Sequence, residues 1–358
     1  MPAPVFIVGT GRCGSTLLSN AMRVHPRLAS ISELFTTATD LGGRIAECFD
    51  PGPVTADALA TLLLVPPPKQ TLLHREQVPM DEILYRPGSI TRFSAATGVP
   101  AIMQTTLPHL AGGPGVDPAE ATVAADAVFD EVAQFVRMRP PAPMAAHLAA
   151  LFSWLAWRFD RPRWVERSGG SLRIVHRLAE AFPDARFVHL VRDGRDVARS
   201  MSGHAGFKLM FVAAALTEIL GVDPFESADR RYAGDIPDEL AGFLPEAFDA
   251  AAFHAYRAPL VLCGHYWSGE ILAGTRALAA LPAGRVLTLR YEAIVARPAD
   301  ELSRLARFVD PEPVDGAWLA RASEMVRSPA PRAAIDPAAQ REVDQACEPG
   351  LAAIEALT

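Results

Sequence analysis

Hydrophobic and polar positions along the chain follow the two periods that are typical of buried strands and of amphipathic helices. Short runs of apolar residues, bounded by glycine, proline or charged residues, predict strands that are buried on both faces. The predicted strands are Val5–Val8, Arg27–Ile31, Trp164–Glu166, Arg186–Val191 and Arg285–Leu289. Because helices are predicted between these strands, the pattern indicates an α/β fold with a mostly parallel sheet flanked by helices.

In the segments between the strands, apolar residues recur every three or four positions, which is the spacing of an amphipathic helix. The predicted helices are one over residues 15–22, Asp57–Leu64, Pro118–Val136, Met144–Phe159, Ser171–Phe182, one beginning near Val197, His265–Leu281, and a last one that carries Leu302, Leu305 and Phe308. An acidic stretch over 222–249 follows neither period. We predict one domain over residues 1–358, in which residues 35–160 form a helical insertion that covers a site.

The composition is that of a globular protein and gives no indication of a nucleic-acid partner. The chain has 358 residues, of which 50% are hydrophobic, and this suffices for a large core. Its formal net charge is −7, whereas nucleic-acid-binding domains carry strongly basic surfaces. The four cysteines lie far apart and form no C-x-x-C pair, which argues against a zinc site or a disulfide framework and fits a reducing cytosol.

The chain also lacks the apolar segments that a membrane protein needs. No apolar run reaches the length of a membrane span, and the strand at Val5 leaves no room ahead of it for a signal peptide. We therefore expect a cytoplasmic protein without a membrane partner.

The turn after the first predicted strand has the residues of an anion-binding site. Gly9, Gly11 and Gly14 allow a tight turn and a close approach of the backbone to a ligand. Ser15 and Thr16 are favourable residues for the start of a helix. Such a turn directs several free N–H groups and the positive end of the helix dipole at one point. The sequence therefore predicts that a phosphate-like anion binds here.

The spacing of this turn narrows the choice of anion. Gly9, Gly14 and Thr16 fit the pattern G-x-x-x-x-G-K-[ST] of nucleotide-triphosphate loops. Ser15 replaces the lysine, however, and the only cation in the loop is Arg12. Because triphosphate cleavage relies on that lysine and on magnesium, the loop favours an anionic nucleotide but argues against ordinary ATP chemistry.

A second anion site is predicted where the strand Arg186–Val191 ends. Arg192 follows this strand, at the edge where ligands bind to open parallel sheets. Ser200 lies eight residues further on, inside the next predicted helix, so that the arginine and the hydroxyl can close on one phosphate. Taken alone, the stretch also fits a surface helix whose arginines pair with Asp193 and Asp196.

Together, the two stretches resemble the sulfotransferase family, which uses 3′-phosphoadenosine 5′-phosphosulfate (PAPS). In that family a glycine, serine and threonine turn after the first strand holds the 5′-phosphosulfate, and an arginine and a serine eight residues apart hold the 3′-phosphate. Residues 12–16 match the first element, and Arg192 with Ser200 matches the second. The loop is most similar to the branch that contains tyrosylprotein sulfotransferase and many bacterial small-molecule sulfotransferases. Residues 163–170 and 289–298 resemble two further segments of that branch.

The resemblance implies roles for individual residues. The residues implied in donor binding are Gly11, Arg12, Cys13, Gly14, Ser15, Thr16, Arg192, Ser200, Tyr291 near the adenine, and Ser328 and Arg332 in a lid. Arg12 and Arg167 are implied to supply positive charge at the sulfonate, and Glu33 is implied as the base that deprotonates the acceptor. Glu33 also ends the second predicted strand, so it is expected to face the same cleft. The charge of the donor requires no metal.

The implied reaction is the transfer of a sulfonate from PAPS to a hydroxyl or phenol of a small molecule. The cover of the site carries Phe93, Phe152, Trp154 and Trp157, which mildly favours an apolar or aromatic acceptor. Cytosolic sulfotransferases use a histidine as the base, so histidines remain alternatives to Glu33. The histidines considered are His74, His109, His147, His204 and His265.

Two other functions stay open at this stage. One is a nucleotide or small-molecule kinase with a degenerate phosphate loop, for which Asp193 would be the carboxylate poised for magnesium. The other is a nucleotide sensor that keeps both anion sites but has no base.

Overall fold

A central parallel sheet positions the elements that the sequence singles out. The computed structural model describes residues 3–37, 43–49, 52–88, 90–113, 116–328 and 334–357. The strands in these ranges are β1 (Val5–Val8), β2 (Leu28–Ser32), β3 (Pro53–Val54), β4 (Ala142–Pro143), β5 (Arg163–Arg167), β6 (Arg186–Val191) and β7 (Val286–Arg290). Five of them form a sheet in the order β2-β5-β1-β6-β7 in which all neighbours are parallel, and β3 and β4 form a separate antiparallel pair.

Helices cover the sheet and fill the segments between its strands. The α-helices in the described ranges are α1 (Ser15–Arg23), α2 (Ile45–Cys48), α3 (Ala56–Leu64), α4 (Pro68–Arg75), α5 (Ala101–Gln104), α6 (Thr106–Ala111), α7 (Pro118–Arg137), α8 (Met144–Arg158), α9 (Val175–Ala181), α10 (Gly194–Gly203), α11 (Ala205–Leu220), α12 (Asp238–Ala241), α13 (Ala250–Ala255), α14 (Leu260–Ala279), α15 (Tyr291–Ala296), α16 (Pro298–Val309), α17 (Gly316–Glu324) and α18 (Pro337–Glu355). Short 3-10 helices span Leu34–Thr37, Ser171–Ile174 and Ala233–Asp235.

The predicted α/β fold class and parallel sheet are confirmed. Each predicted strand of the sheet begins and ends within one residue of the observed one, because each carries apolar side chains that pack into the core. The helix predicted over 171–182 divides into the 3-10 turn at Ser171–Ile174 and α9. The helix predicted at 265 begins five residues earlier, at Leu260, directly after Pro259.

The prediction that the helix with Leu302 and Leu305 is the last one was wrong, since α17 and α18 follow it. Helix α18 contains Pro349, a residue that usually interrupts a helix. It packs closely along α14: a Cβ added to Gly264 would lie 2.8 Å from Cβ of Ala346. The Ser268 hydroxyl donates to the Ala346 carbonyl at 2.6 Å.

Successive side chains of β1 enter two different apolar layers, as the alternation along a strand requires. Phe6 packs among Phe35, Trp164 and Phe187 on one face of the sheet. Ile7 on the other face belongs to the cluster that includes Leu18 and Trp318. Burial of each such side chain contributes about 1.5–3 kcal/mol, so β1 is held from both sides and fixes the start of the turn that follows it.

The chain leaves β1 and β6 in opposite directions, which creates a crevice at their carboxyl ends. These two strands are neighbours in the sheet, but β1 leads through α1 towards β2, whereas β6 leads towards β7 on the other side. Ligands of open α/β sheets bind at such a point. The turn after β1 and the residues after β6 therefore face one crevice.

The segment between β2 and β5 contains helices α2 to α8 and lies against the sheet. Phe152 of α8 is fully buried, and its ring meets that of Trp164 at 4.9 Å. No single helix among the described residues is long and apolar enough to cross a bilayer. Helices α10 and α11 together reach the required length and apolar composition, but the pair is bent by 79°.

Candidate active site

The turn between β1 and α1 adopts a backbone that is rare outside glycine. Gly11, Arg12 and Gly14 all have positive φ, at 77°, 55° and 94°. A Cβ added to Gly14 would lie 2.3 Å from the ring of Tyr291, so neither the conformation nor the space at this position admits a side chain. Gly14 is also the N-cap of α1, whose first N–H groups point out of the helix end. The turn thus presents free backbone donors at a helix N-terminus, which is the geometry that binds anions.

Arg12 joins the turn to the stretch after β6. Its Nε donates to Oγ of Ser200 at 3.1 Å, and Nη1 of Arg192 donates to the Arg12 carbonyl at 3.3 Å. The two predicted anion sites are therefore in direct contact, although they lie about 180 residues apart in the sequence. One ligand can reach both cations.

Arg192 is held in place by an aromatic ring and a carboxylate. Its guanidinium lies 4.5 Å from the ring centroid of Tyr291, the same ring that contacts Gly14. Nη2 of Arg192 lies 3.2 Å from Asp196 one turn along α10. Arg192 is only 8% exposed, and its Nε has no hydrogen-bond partner among the described residues. A buried guanidinium with an unused donor is suited to bind an anion.

The carboxylate of Glu33 faces the same crevice at the end of β2. One oxygen forms an ion pair with Arg167, and the other accepts hydrogen bonds from the Gly169 N–H and the Thr36 hydroxyl, both at 2.8 Å. Glu33 has φ of 59°, which a residue with a side chain adopts only where its surroundings impose it. These contacts fix the carboxylate in one orientation.

The sheet register explains why Glu33 and Arg167 meet. Ser32 of β2 is aligned with Arg167 of β5, which in turn is aligned with Ile7 of β1. Nη2 of Arg167 donates to the Ser32 hydroxyl at 2.8 Å, and the Glu33 N–H donates to the Arg167 carbonyl at 2.8 Å. Ser32 also accepts from Ser19 of α1 at 3.1 Å. The guanidinium is thereby turned towards the strand ends and the buried serines.

A second glutamate lies behind this ion pair. Glu166 is fully buried, accepts a 2.6 Å hydrogen bond from the Ser168 hydroxyl through one oxygen, and has no partner for the other among the described residues. Burial raises the pKa of Glu166 to about 8, and the negative charge of Glu33 adds to this rise. At neutral pH Glu166 is therefore largely protonated, which leaves Arg167 to pair with Glu33 alone.

A third glutamate, Glu82, approaches from the segment between β2 and β5. Its Oε1 lies 2.5 Å from Nη1 of Arg12, and its Oε2 lies 2.9 Å from Nε2 of His204. Burial alone would raise the pKa of Glu82, but the hydrogen bond and charge of His204 and the charge of Arg12 outweigh burial and lower it to about 2. Thr105 fixes the backbone here by donating to the Glu82 carbonyl at 2.6 Å.

These groups surround one cavity of about 280 Å³. On the side of the turn it is lined by Gly11, Arg12, Gly14, Ser15, Thr16, Glu33, Gly169, Arg192, Ser200 and Tyr291. On the other side it is lined by Pro67, Gln70, Met80, Glu82, Ile83, Ala101, Gln104, Thr105, His204, Phe207, Met210 and Tyr266. The first half is rich in cations and backbone donors, and the second combines apolar side chains with the polar groups of Gln70, Glu82, Gln104, Thr105, His204 and Tyr266.

Comparison with known proteins relates part of the chain to one enzyme family. The model of the Sulfotransferase family matches residues 117–248, which is somewhat over a third of the chain and includes Arg167, Arg192 and Ser200. That match supports a sulfotransferase enzyme, as the resemblance of the two anion-binding stretches implies. No curated protein sequence matches it.

Several solved structures are similar to this chain at low sequence identity. The sulfotransferase domain from the curacin biosynthetic pathway is 15% identical, with 96% of this chain and 97% of that chain covered and a TM-score of 0.43. The sulfotransferase domain from the Synechococcus PCC 7002 olefin synthase is 16% identical, with 97% and 93% covered and a TM-score of 0.41. Sulfotransferase STF9 from Mycobacterium avium is 16% identical, with 99% and 76% covered and a TM-score of 0.43.

Some predicted site residues do not reach the cavity. The side chain of Cys13 is 1% exposed and packs in the core, where burial raises the pKa of its thiol. Arg167 is 3% exposed and does not line the cavity; it contacts Glu33 instead. Ser328 is exposed and also lies outside the lining, and Arg332 lies outside the described residues.

Of the five histidines considered, only His204 lines the cavity. His109 is buried among Ser19 and Ser30, with its Nε2 at 3.3 and 3.2 Å from their hydroxyls. Burial lowers the pKa of His109 well below its usual value. His147 is buried in α8, where its Nε2 lies 2.9 Å from the Val54 carbonyl.

The sequence analysis missed Glu82 and most of the apolar half of the cavity. Glu82 lies in a segment without any recognisable motif, so its position could not have been found from spacing. The four aromatic residues expected near the acceptor do not line the cavity: Phe152 is core, and Trp157 is 73% exposed. Phe207, Met80 and Met210 take that place.

Proposed function

We propose that this sulfotransferase moves a sulfonate from PAPS to a hydroxyl or phenol oxygen of a small molecule. The observation that carries the proposal is the contact between the turn after β1 and the stretch after β6, in which Arg12 bonds to Ser200 and Arg192 bonds to the Arg12 carbonyl. A donor with anionic groups at both its 5′ and 3′ positions needs two such sites within the span of one nucleotide.

In this proposal each end of the donor has its own set of partners. The free N–H groups of the turn, with the hydroxyls of Ser15 and Thr16, hold the 5′-phosphosulfate, since they form a helix N-terminus. Arg192 and Ser200 hold the 3′-phosphate, and Tyr291 lies beside the adenine. Cys13 contributes through its backbone only, because its side chain is core. Ser328 and Arg332 stay predicted lid residues.

The proposed reaction requires the protein to stabilise the leaving group and to accept a proton. As the acceptor oxygen bonds to sulfur, the bond from sulfur to the bridging 5′-phosphate oxygen breaks and that oxygen takes the electron pair. Arg12 is suited to neutralise the charge that grows there, because it lines the cavity beside the turn. Glu33 is suited to take the acceptor proton, because its carboxylate lines the same cavity.

Arg167 has a different part from the one that the resemblance implies. Its guanidinium is buried and paired with Glu33, so it orients the base and supplies positive charge from behind. We therefore treat it as a positioning residue for Glu33.

His204 is the alternative base that the geometry favours among the histidines. It lines the cavity, and Glu82 holds its Nε2, so Nδ1 is the nitrogen that would take the acceptor proton. Glu33→Gln tests the choice: we expect transfer to be lost while adenosine 3′,5′-bisphosphate still binds. Near-normal transfer in Glu33→Gln, together with loss in His204→Asn, would assign the base to His204.

The residues on the acceptor side of the cavity are suited to bind a neutral, largely apolar small molecule. The segment between β2 and β5 supplies Met80 and Ile83, and α11 supplies Phe207 and Met210. Among the described lining residues the arginines are Arg12 and Arg192, both on the donor side. An anionic acceptor would meet no arginine on that side, and the carboxylate of Glu82 would repel it.

The kinase alternative has less support, because its candidate metal ligand is already engaged. Both oxygens of Asp193 bond to Arg195, and one of them also accepts the Arg195 N–H at 2.9 Å as the cap of α10. Calorimetry separates the functions. We expect adenosine 3′,5′-bisphosphate to bind without metal and more tightly than ATP with magnesium; the reverse order would favour the kinase. Tight binding with no transfer to any acceptor would favour a sensor.

A further inference from the structure

The carboxylate of Glu82 pairs with Arg12, the cation that the proposed donor would also use. It lies 2.5 Å from Nη1 of Arg12, the cation of the turn, and both side chains line the cavity. The side chains of Arg12 and Glu82 are 24% and 18% exposed, so the ion pair is only partly screened by water. An arginine in such a pair offers a weaker site to an incoming anion than a free one.

Glu82 has a second partner that keeps it in place when Arg12 is withdrawn. Its other oxygen faces Nε2 of His204 at 2.9 Å, and Thr105 anchors its backbone. Nδ1 of His204 is buried with no partner among the described residues, so the ring has one polar contact, with Glu82. The carboxylate can therefore release Arg12 to an anion without losing its own orientation.

We propose that Glu82 is a positioning residue that competes with the donor nucleotide for Arg12 and thereby speeds release of the product nucleotide, while it holds His204 at the acceptor side. This rests on the proposed function, because it needs a nucleotide anion at the turn. The donor displaces the carboxylate on binding. After transfer, the carboxylate of Glu82, which is tethered beside the turn, competes with the 5′-phosphate of the product for Arg12.

The proposal predicts a change of affinity with a definite sign. In Glu82→Gln the amide still accepts a hydrogen bond from His204 Nε2 but no longer attracts Arg12. We expect adenosine 3′,5′-bisphosphate to bind roughly two- to fivefold more tightly, which is the range for loss of a partly exposed ion pair. We expect its dissociation rate to fall by a similar factor, because differences among such variants lie mostly in dissociation.

Two further variants separate competition from a simple loss of negative charge. Glu82→Asp keeps the charge but withdraws the carboxylate from Arg12 by one methylene, so it should also bind the nucleotide more tightly, though less so than Glu82→Gln. Glu292→Gln removes a carboxylate at the same crevice that contacts the Asp193 N–H at 2.9 Å and not Arg12. Glu292→Gln should change the affinity for adenosine 3′,5′-bisphosphate less than either Glu82 variant does.

The experiment is calorimetry and stopped-flow displacement of adenosine 3′,5′-bisphosphate on the full chain and these three variants, each first checked for cooperative unfolding. Tighter and slower-leaving nucleotide in both Glu82 variants supports the proposal. Equal or weaker binding in both, or an equal gain in Glu292→Gln, overturns it. If Glu82→Gln does not fold, Glu82→Asp alone decides. Absence of binding to the wild-type chain would instead overturn the proposed function itself.

Discussion

The side chains of Arg12 and Ser200, 188 positions apart in the chain, are joined by a hydrogen bond of 3.1 Å between Nε and Oγ. Arg12 belongs to the turn after β1 and Ser200 to α10 after β6, and these strands are neighbours. The bond places a residue of the predicted 5′ site against one of the predicted 3′ site. One nucleotide can therefore contact both stretches.

If one nucleotide spans both sites, Arg12→Met and Arg192→Met should each weaken binding of adenosine 3′,5′-bisphosphate. Each removes a charge-assisted hydrogen bond, so we expect a loss of about 10- to 100-fold in affinity, measured by calorimetry. Arg158→Met is the control, since Arg158 pairs with Glu131 on the surface. A loss confined to one of the two cavity arginines would contradict a shared ligand.

Gly14→Ala should destabilise the protein through both its backbone and its Cβ. The added atom would meet the Tyr291 ring at 2.3 Å, and φ is 94°, so we expect a loss of about 2–4 kcal/mol in the free energy of unfolding by urea. Gly221→Ala is the matched control: φ is 72° there, but no atom lies within 4 Å. It should cost only about 1 kcal/mol. Equal losses would mean that the contact with Tyr291 is easily relieved.

The sequence was enough to predict the sheet and the proximity of the two predicted anion sites. Buried apolar runs locate the strands, and the carboxyl ends of parallel strands share one edge. Arg12 and Arg192 each follow such a strand end, so their proximity follows once β1 and β6 are neighbours.

Contacts that depend on how distant segments pack together could not be predicted from the sequence. The motif at Arg167 gives its place on β5 but not that its guanidinium turns to Glu33, which depends on the register of Ser32 with Arg167. Glu82 reaches Arg12 only because the helices between β2 and β5 pack over the crevice. No local pattern encodes either contact.

The buried Glu166 should make stability fall as pH rises through the neutral range. Its pKa in the folded protein is raised to about 8 by burial, whereas in the unfolded chain it titrates near 4.3. Between these values the folded state binds the extra proton, so unfolding becomes easier by up to about 1.4 kcal/mol per pH unit. In Glu166→Gln this slope should disappear. Urea unfolding of both proteins from pH 5 to 8 tests it, and parallel pH profiles would show that Glu166 is ionised throughout.

The last prediction concerns Gln70, a buried cavity residue that is 2% exposed and whose Oε1 has no partner among the described residues. An unsatisfied buried oxygen costs about 1–3 kcal/mol. Gln70→Leu should therefore raise the free energy of unfolding by about 1 kcal/mol while leaving the affinity for adenosine 3′,5′-bisphosphate unchanged, because Gln70 lies on the acceptor side.

Gln104→Leu is the matched control for Gln70→Leu. Gln104 also lines the cavity, but its Nε2 already donates to the Val99 carbonyl at 3.2 Å. The same substitution should therefore destabilise the protein by about 1 kcal/mol. If Gln70→Leu raises the free energy of unfolding by urea and Gln104→Leu lowers it, the unsatisfied oxygen of Gln70 reduces stability. This is expected of a group that binds a hydrogen-bond donor on the acceptor. Destabilisation by both substitutions would remove that role from Gln70.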